Sequence, residues 1–473
     1  MRRHHLLAAP LALSLLAGSL LAISGCSGTV NTVGKVDFSR PLWIPPLAPS
    51  HVDGEGRRFF DLRAQAGERD FGQGGPTHTW GYDGDYLGPT LRATRGERVV
   101  VHVTNALDEP TTVHWHGMHL PARMDGGPHQ TIGPHATWSP TWTIDQPAAT
   151  LWYHPHPHGQ TETHVYRGLA GMFILDDDSA STKALPRTYG IDDLPVIVQD
   201  RNFRSDGQFS WERGQSGIGI LGDTLLVNGT VGPYFDVTTQ RVRLRLLNAS
   251  TARTYDFGLA DDRAFTLVGT DGGLLPAPYH TKRIRLSPAE RAEIVVELRP
   301  GERVALRSFP PRLGAGFMGG RMNGGRDSFD VLQLRAAADL AASRAIPSTL
   351  ATIEPIQPAS ATRTRTFRLN APLINGRSMD VDRVDATVEA GSTELWKIIG
   401  EGGTPHNFHV HGVQFQVLSV DGHAPPPELR GWKDTVFLAG GQTIRIITRF
   451  PPTRTRRCHT CSIATCSSTR TSA

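Results

Sequence analysis

Cysteine is scarce in this chain of 473 residues, and its positions limit what the protein can be. Four cysteines are present, and none lies between Cys26 and Cys458. A disulfide framework across the body of the chain is therefore excluded. Cys458, Cys461 and Cys466 crowd the last sixteen residues, where the Cys-x-x-Cys spacing matches that of some zinc and redox sites.

Charge of one sign and helical patterns are also lacking. The chain has 49 Lys and Arg against 45 Asp and Glu, a formal net charge of +4, and no basic stripe interleaved with aromatic residues. No nucleic-acid partner is therefore predicted. Helical periodicity is limited to a short stretch around 336–344, whereas 50 Gly and 34 Pro favour many short strands joined by turns.

The first residues are typical of an export signal. Arg2 and Arg3 precede an apolar run at 6–23, which ends in Ile23-Ser24-Gly25-Cys26. A basic segment followed by an apolar one directs secretion and is not an element of the fold. The tetrad resembles a bacterial lipobox and predicts a lipid anchor at Cys26; the alternative is plain signal cleavage with an incidental cysteine. The predicted location is the periplasm or the outer cell envelope.

Strand patterns recur along the whole chain and place it in the all-β class. Hydrophobic residues recur at every second position, as in Val99, Val101 and Val103 and again in Val242, Leu244 and Leu246. Similar segments at 95–105, 240–248 and 390–399 lie about 150 residues apart. This internal repetition predicts three tandem β-sandwich domains.

Seven histidines in three clusters are the most informative feature present. The clusters are His114-Trp115-His116, His154-Pro155-His156 and His406-Asn407-Phe408-His409-Val410-His411. On a strand, a His-x-His pair points both rings to one face. The first and third repeats carry clusters, whereas the middle repeat has Ala249-Ser250-Thr251 at the matching position. We therefore expect a metal site between domains one and three, with domain two as a spacer. Histidine count alone does not name the metal, because imidazole binds copper, zinc, iron and nickel.

With these clusters, the sequence resembles the multicopper oxidases, most closely the bacterial periplasmic copper-efflux oxidase and laccase-like branch. The resemblance runs from about Asp37 to Phe450. Its further motifs include Gly190-Ile191-Asp192-Asp193-Leu194-Pro195, Gly222-Asp223-Thr224-Leu225-Leu226, Asp271-Gly272-Gly273-Leu274-Leu275-Pro276 and Gly431-Trp432-Lys433-Asp434-Thr435-Val436.

The resemblance implies a fold and a domain organisation. The fold is all-β, with three tandem cupredoxin-like Greek-key β-sandwich domains, the third truncated. The expected segments are an export or lipoprotein signal at 1–26, domains at 37–178, 187–336 and 363–452, and a tail at 453–473. A monomer is expected.

The resemblance also implies copper chemistry and a ligand set. Electrons from a small reductant, a phenol or Cu(I), pass through a type 1 copper to a cluster of one type 2 and two type 3 coppers, where O2 becomes water. The implied ligands are His114 and His409 for type 2, His116, His154, His156 and His411 for type 3, and His406 for type 1. Asp125 falls where the family keeps an acidic group, which implies a proton relay.

Two features weigh against a simple assignment. Met318 and Met322 lie in a Gly-rich stretch, but the long methionine-rich insert common in the efflux branch is missing, which weakens a dedicated Cu(I) oxidase role. Copper-free relatives with the same architecture exist, so the alternative is a non-catalytic cell-envelope scaffold or copper-binding protein. A two-domain copper nitrite reductase is disfavoured by the three repeats.

The tail at 453–473 departs from the family, which ends in His-Cys-His, a further histidine and Gly-Met. Its residues are rich in Arg, Ser, Thr and Cys and lack a strand pattern. When the codons are shifted by one frame, they permit that motif at the right spacing. Our hypothesis is a frameshift near Pro452, against the alternative of a genuine divergent tail. We then expect an incomplete ligand set and crippled activity, and the Cys-x-x-Cys carries no function.

Overall fold

The structure is a computed structural model, which describes residues 28–212, 218–370 and 372–452. The predicted export signal with its lipid anchor at Cys26 and the predicted out-of-frame tail therefore lie outside the described residues. Within the described ranges, no helix is long and apolar enough to cross a lipid bilayer.

Strands dominate all three domains. The first strand, β1 (Arg40–Pro41), precedes domain one along the chain but joins a sheet of domain two through β16. Domain one contains β2 (Ser50–Val52), β3 (Arg57–Asp70), β4 (Pro76–Tyr82), β5 (Leu91–Thr94), β6 (Arg98–Asn105), β7 (His114–His116), β8 (Thr137–Trp138), β9 (Thr141–Thr143), β10 (Ala149–His154) and β11 (Gly171–Asp176). Domain two contains β12 (Asp193–Phe203), β13 (Phe209–Ser210), β14 (Thr224–Val227), β15 (Thr230–Val231), β16 (Pro233–Thr239), β17 (Arg241–Asn248), β18 (Tyr255–Leu259), β19 (Phe265–Thr270), β20 (Gly273–Thr281), β21 (Ile284–Leu286), β22 (Arg291–Glu297), β23 (Arg303–Phe309) and β24 (Phe329–Ala341). Domain three contains β25 (Arg363–Asn370), β26 (Leu373–Ile374), β27 (Thr393–Gly400), β28 (His406–His409), β29 (Phe415–Val420), β30 (Thr435–Leu438) and β31 (Thr443–Arg449).

Helices are short connectors. The described α-helices are α1 (Thr161–Arg167), α2 (Ala180–Ala184) and α3 (Gly316–Met322), and single 3-10 turns occupy Ala122–Met124, Pro358–Ser360 and Pro427–Leu429. The helix expected around 336–344 is wrong. Most of that stretch continues β24, which pairs with β23 up to Arg335 and with β16 up to Ala341. Sheet pairing has overridden the local helical propensity of its alanines.

The three domains repeat one topology, which confirms the all-β class and the tandem β-sandwiches. In each first sheet, a parallel pair is followed by an antiparallel partner: β3-β6-β9, β12-β17-β22 and β25-β27-β31. The second sheets of domains one and two also share an order, β5-β11-β10-β7 and β16-β24-β23-β18. In domain three, the described part of the second sheet is the pair β28-β30.

Each domain has its own hydrophobic core between its sheets. The alternating valines of β6 and the Val242, Leu244 and Leu246 series of β17 are all fully buried, as the period-two pattern predicts. The intervening Arg243 and Arg245 are buried as well, each 2% exposed. Their side of the sheet faces domain one, where Arg245 donates to the hydroxyl of Thr150 at 2.8 Å.

Candidate metal centre

Strand register brings the histidines of domain one together. β7 and β10 run antiparallel with His114 opposite His154 and His116 opposite Trp152. The rings of His114 and His116 lie with their centroids 5.5 Å apart on one side of β7, while Trp115 between them packs into the core of domain one. His156 follows the end of β10, and its ring centroid lies 5.7 Å from that of His114.

Domain three contributes its histidines from β28 and the residues just after it. Alternation along the strand sends Phe408 into the core of domain three and His409 to the opposite side. His411 lies two residues further on, with its ring centroid 4.9 Å from that of His409. His406 is three residues from His409, so the same alternation turns it away from this pair.

Six imidazoles therefore meet between domains one and three. Two stacked pairs cross the boundary: His116 on His409 with centroids 3.7 Å apart, and His114 on His411 at 4.0 Å. His154 completes the group, with centroids 5.3 Å from His114 and 5.6 Å from His116. We call these six residues the histidine cluster: His114, His116, His154, His156, His409 and His411.

Hydrogen bonds hold the rings of the cluster from outside. His114 donates from Nδ1 to the carbonyl of Asp125 at 3.0 Å, and His409 donates from Nδ1 to the carbonyl of Asp434 at 2.8 Å. His411 donates from Nδ1 to the Asp125 carboxylate at 2.7 Å. Each bond fixes a tautomer in which Nε2 carries a lone pair. Those three Nε2 atoms are buried and have no hydrogen-bond partner among the described residues.

His116 and His154 are also oriented by contacts of one ring nitrogen with an oxygen outside the cluster. His154 donates from Nδ1 to the carbonyl of Pro155 at 2.8 Å, and His116 points Nε2 at Asp434 at 3.2 Å. Their other nitrogens then face each other across 3.4 Å as two acceptors. In this pair of tautomers no proton lies between the two nitrogens, and a bound cation would satisfy both lone pairs. Imidazole is a good ligand for copper, so the donor set fits the metal that the sequence implies.

Burial disfavours the charged form of five of the cluster histidines. The pKa values of His116, His154 and His409 lie well below the ordinary value, because burial and the neighbouring histidines disfavour a charged ring. The same causes lower the pKa of His156 to about 3 and lower that of His411. Metal ligands must be deprotonated, so these rings are ready to bind at neutral pH.

Asp125 lies beside the cluster and orients two of its members. Its carboxylate accepts from His411 and lies 3.2 Å from Nδ1 of His114. Burial opposes ionisation, but these two histidines hold the pKa of Asp125 well below its usual range. Gly126 makes the arrangement sterically feasible: its φ is +74°, and a Cβ there would collide with the carbonyl of Val113.

His406 lies apart from the cluster. It is 6% exposed, and its Nε2 has no hydrogen-bond partner within the described ranges. The ring contacts that join the six cluster members do not include it. Its pKa is lowered by burial. A separate metal position at His406 stays a prediction.

Other singled-out residues take supporting or unrelated positions. Trp152 stacks on His154 with centroids 4.1 Å apart. His164 in α1 is fully buried and hydrogen-bonded to Glu109 at 2.9 Å, outside the cluster, whereas His158 is exposed. Met318 and Met322 are exposed on α3, with exposed fractions of 61% and 36%.

Sequence reasoning missed the residues that support the cluster from behind. Asp434 and Thr435 both contact His116, and Arg291 of domain two binds the Asp434 carboxylate at 2.6 and 2.8 Å. The expectation that domain two is only a spacer is therefore wrong. One signal was available, because the motif at 431–436 places two ionisable residues directly before an apolar strand.

Comparison with known proteins agrees with this geometry. Three multicopper oxidase family models match residues 63–180, 199–304 and 348–463. Multicopper oxidase mco of Staphylococcus haemolyticus is 35% identical over 422 residues, which cover 88% of each chain. The chain belongs to the multicopper oxidase family. This membership implies copper as the metal, and O2 and a reductant as substrates.

Two further relatives show the range of the family. The Cell division protein FtsP of Salmonella typhimurium is 37% identical over 434 residues, again 88% of each chain. Among solved structures, a laccase from Pediococcus acidilactici Pa5930 superposes with a TM-score of 0.78 at 35% identity, covering 87% of this chain and 88% of the laccase. Relatives of similar identity thus carry the names of an oxidase and of a cell division protein.

Proposed function

We propose that the protein is an exported copper oxidase of the laccase-like branch, which couples one-electron oxidation of a phenol or Cu(I) to the reduction of O2 to water. Copper, when bound, supplies single-electron acceptance and delivery of four electrons to O2. The observation that carries the proposal is the histidine cluster, where six imidazoles from two domains meet and five of them are buried.

The residues divide into ligands and support. His114 and His409 are the proposed type 2 ligands, and His116, His154, His156 and His411 the proposed type 3 ligands. His406 is the proposed ligand of the separate type 1 copper. Asp125 holds His114 and His411 in place, and its buried carboxylate is the proposed carrier of protons to reduced oxygen.

The remaining ligands are proposed to come from the sequence after β31. In domain one, β10 begins six residues after β9 ends, and in domain two β23 begins six residues after β22 ends. The same interval after Arg449 falls at residue 455, outside the described residues. We propose that a restored reading frame there supplies the His-Cys-His motif. Without this motif, the chain with its present tail at 453–473 has crippled oxidase activity.

The test compares the printed chain with a version whose frame is shifted after Pro452. Both are expressed with their leader, loaded with Cu(II) and assayed for copper content, blue absorbance and O2 uptake with a substituted phenol or Cu(I). We expect colour and turnover, four reductant electrons per O2, only in the frame-shifted version. A matched control carries His114→Ala and His409→Ala. A frame-shifted version that binds copper but reduces no O2 contradicts the oxidase.

A non-catalytic envelope protein is the second candidate, favoured by the 37% identity to a protein named for cell division. The discriminating experiment deletes the gene in its host and restores either the wild-type copy or the His114→Ala, His409→Ala copy. If both copies restore a division defect equally, the envelope role does not need copper. Export and the lipid anchor at Cys26, proposed from the leader, are checked in the same strains by fractionation and by a Cys26→Ala variant.

A further inference from the structure

Domain two carries no histidine ligand, yet one of its arginines reaches the support of the histidine cluster. We propose that Arg291 is a positioning residue for the metal centre, which fixes His116 and His409 through Asp434 and Thr435. This inference rests on the proposed copper binding and assigns a role to the domain without ligands.

Arg291 uses every donor that it has. At the start of β22 and fully buried, it donates from Nη1 and Nη2 to the two carboxylate oxygens of Asp434 at 2.8 and 2.6 Å. Its other three N–H groups reach the carbonyls of Thr150 at 2.9 Å, Ala289 at 3.0 Å and Asp271 at 3.0 Å. A guanidinium has five N–H donors, and all five are bonded. Because the acceptors come from all three domains, this side chain has one position.

The position of Asp434 is passed on to two cluster histidines. His116 directs Nε2 at the Asp434 carboxylate at 3.2 Å and at the Thr435 hydroxyl at 3.1 Å. His409 donates to the Asp434 carbonyl at 2.8 Å and lies 3.1 Å from the same hydroxyl. The Thr435 hydroxyl donates to Asp434 at 2.9 Å, so its lone pairs face the two rings. These bonds set which nitrogen of each ring is left for a metal.

The backbone of domain one is shaped around this ion pair. Gly117 directly follows His116 and has a φ of +85°. A Cβ at Gly117 would lie 2.5 Å from Oδ2 of Asp434 and 2.8 Å from Nη2 of Arg291. The glycine therefore lets the pair approach the chain next to a proposed ligand. A larger residue would push the carboxylate away from His116.

A second group of charged residues joins domains two and three. Lys433, next to Asp434, donates to Asp271 at 2.8 Å and to Glu290 at 2.9 Å. Asp271 in turn accepts from the backbone N–H of Arg291 at 2.8 Å. This group fixes the segment that carries Asp434, whereas the bidentate fork of Arg291 fixes the carboxylate itself. A lysine in place of Arg291 keeps the charge but loses the planar fork.

The test uses the full chain and Cu(II) as the probe. Copper affinity is measured by competition with a chelator, and ligand geometry by the electron paramagnetic resonance spectrum, for wild type and Arg291→Lys. We expect affinity to fall by about 10- to 100-fold and the spectrum to change. The matched control is Arg253→Lys, since Arg253 is an equally buried arginine of domain two that pairs with Asp200 and Asp327 and contacts no cluster histidine.

Chemical denaturation separates positioning from simple destabilisation. Both arginine variants are expected to unfold at lower urea, but only Arg291→Lys is expected to alter the spectrum. Gly117→Ala approaches the same ion pair from domain one and is expected to reproduce the spectral change if Arg291→Lys does not fold. If wild type binds copper and both Arg291→Lys and Gly117→Ala behave like the control Arg253→Lys, the inference about Arg291 is wrong, whereas the proposed function is not affected. If the wild-type chain binds no copper, the comparison is repeated in the version whose frame is shifted after Pro452, and a frame-shifted version that binds no copper overturns the proposed function together with the inference.

Discussion

At the scale of single residues, each imidazole of the centre is defined by the hydrogen bond on its outer nitrogen. His114, His409 and His411 all donate from Nδ1 to oxygens of Asp125 or Asp434. Backbone carbonyls and carboxylates in this role raise the basicity of the inner nitrogen and fix the plane of the ring. Copper affinity should therefore depend on residues that never touch the metal.

Asp125→Asn tests this dependence directly. The amide cannot accept a charge-assisted bond from His411 as the carboxylate does, so we expect copper affinity to fall by about 10- to 100-fold. Competition with a chelator measures the change. Asp145→Asn is the control, because Asp145 pairs with His119 at 3.3 Å on the surface, away from the cluster. Equal affinities for the two variants would contradict a positioning role for Asp125.

His406→Ala and His409→Ala test the separation of the two proposed copper positions. His409 belongs to the cluster and His406 lies apart, so His409→Ala should lose most Cu(II) from the cluster. His406→Ala should leave the copper spectrum of the printed chain almost unchanged. Copper content and electron paramagnetic resonance report the outcome. A similar loss in both variants would mean that the seven histidines form one site.

The histidines and Asp125 were predictable from sequence, but the support from Asp434 and Arg291 was not. A His-x-His pair is a local signal with a strand period, and the structure brings six of the seven together. Asp434 and Arg291 lie 143 residues apart and carry no periodic mark. A lone arginine at the start of an apolar strand does not reveal which domain it will meet.

At the scale of elements, β17 and β22 show where strand patterns mislead. Arg243 and Arg245 alternate with hydrophobic residues and resemble the solvent face of a strand. In the fold they are buried against domain one. Glu293 of β22, also in domain two, forms ion pairs with both arginines and accepts a hydrogen bond from Thr150 of domain one at 2.6 Å. Alternation identifies which face is apolar, but the covering of the other face depends on domain docking.

Glu293→Gln should weaken this docking and change its pH dependence. Burial opposes ionisation, but Arg243 and Arg245 lower the pKa of Glu293 to about 2, below its value of 4.5 in an unfolded chain. The stabilisation is fully present above pH 4.5 and is lost as pH falls towards 2. We expect Glu293→Gln to cost about 3 kcal/mol at pH 7, because two buried arginines lose their charge partner.

Urea unfolding of metal-free protein between pH 7 and pH 3 measures both effects. The free energy of unfolding of wild type should fall more steeply below pH 4.5 than that of Glu293→Gln. Glu297→Gln is the control on the same strand, because Glu297 is an exposed partner of Arg241. If the exposed and buried variants behaved alike, the buried network would not be a source of acid sensitivity.

At the scale of the whole molecule, the repeat predicted most of the architecture. Three segments about 150 residues apart became three sandwiches with the same first-sheet order, and the clusters of the first and third came together as expected. The expectation that the repeat did not predict correctly was the role of domain two as a spacer. Domain two has its own core, but Arg291 and Glu293 extend from it to both neighbours. Contacts between domains depend on three-dimensional docking that no repeat encodes.

Bound copper should therefore stabilise the docked arrangement of domains one and three, and we call this effect clamping. The proposed ligands lie on β7, around β10 and around β28, so a bound metal stabilises both domains only while they are docked. At free copper 100 times the dissociation constant, the added stability is about 2.7 kcal/mol. Hydrogen exchange should slow at β7 and β28 together when Cu(II) is added. β18, the strand of domain two that corresponds to β7 but lacks histidine, should change much less.

The double variant His114→Ala, His411→Ala separates clamping from nonspecific copper effects. It keeps the core residues of both domains and removes one stacked pair that crosses their boundary. Copper should then leave exchange at β28 unchanged. Protection confined to β7 in the wild type would mean that domain one binds copper alone and that the two clusters do not share a metal site. Joint protection, lost in the double variant, is the result that a site divided between two domains requires.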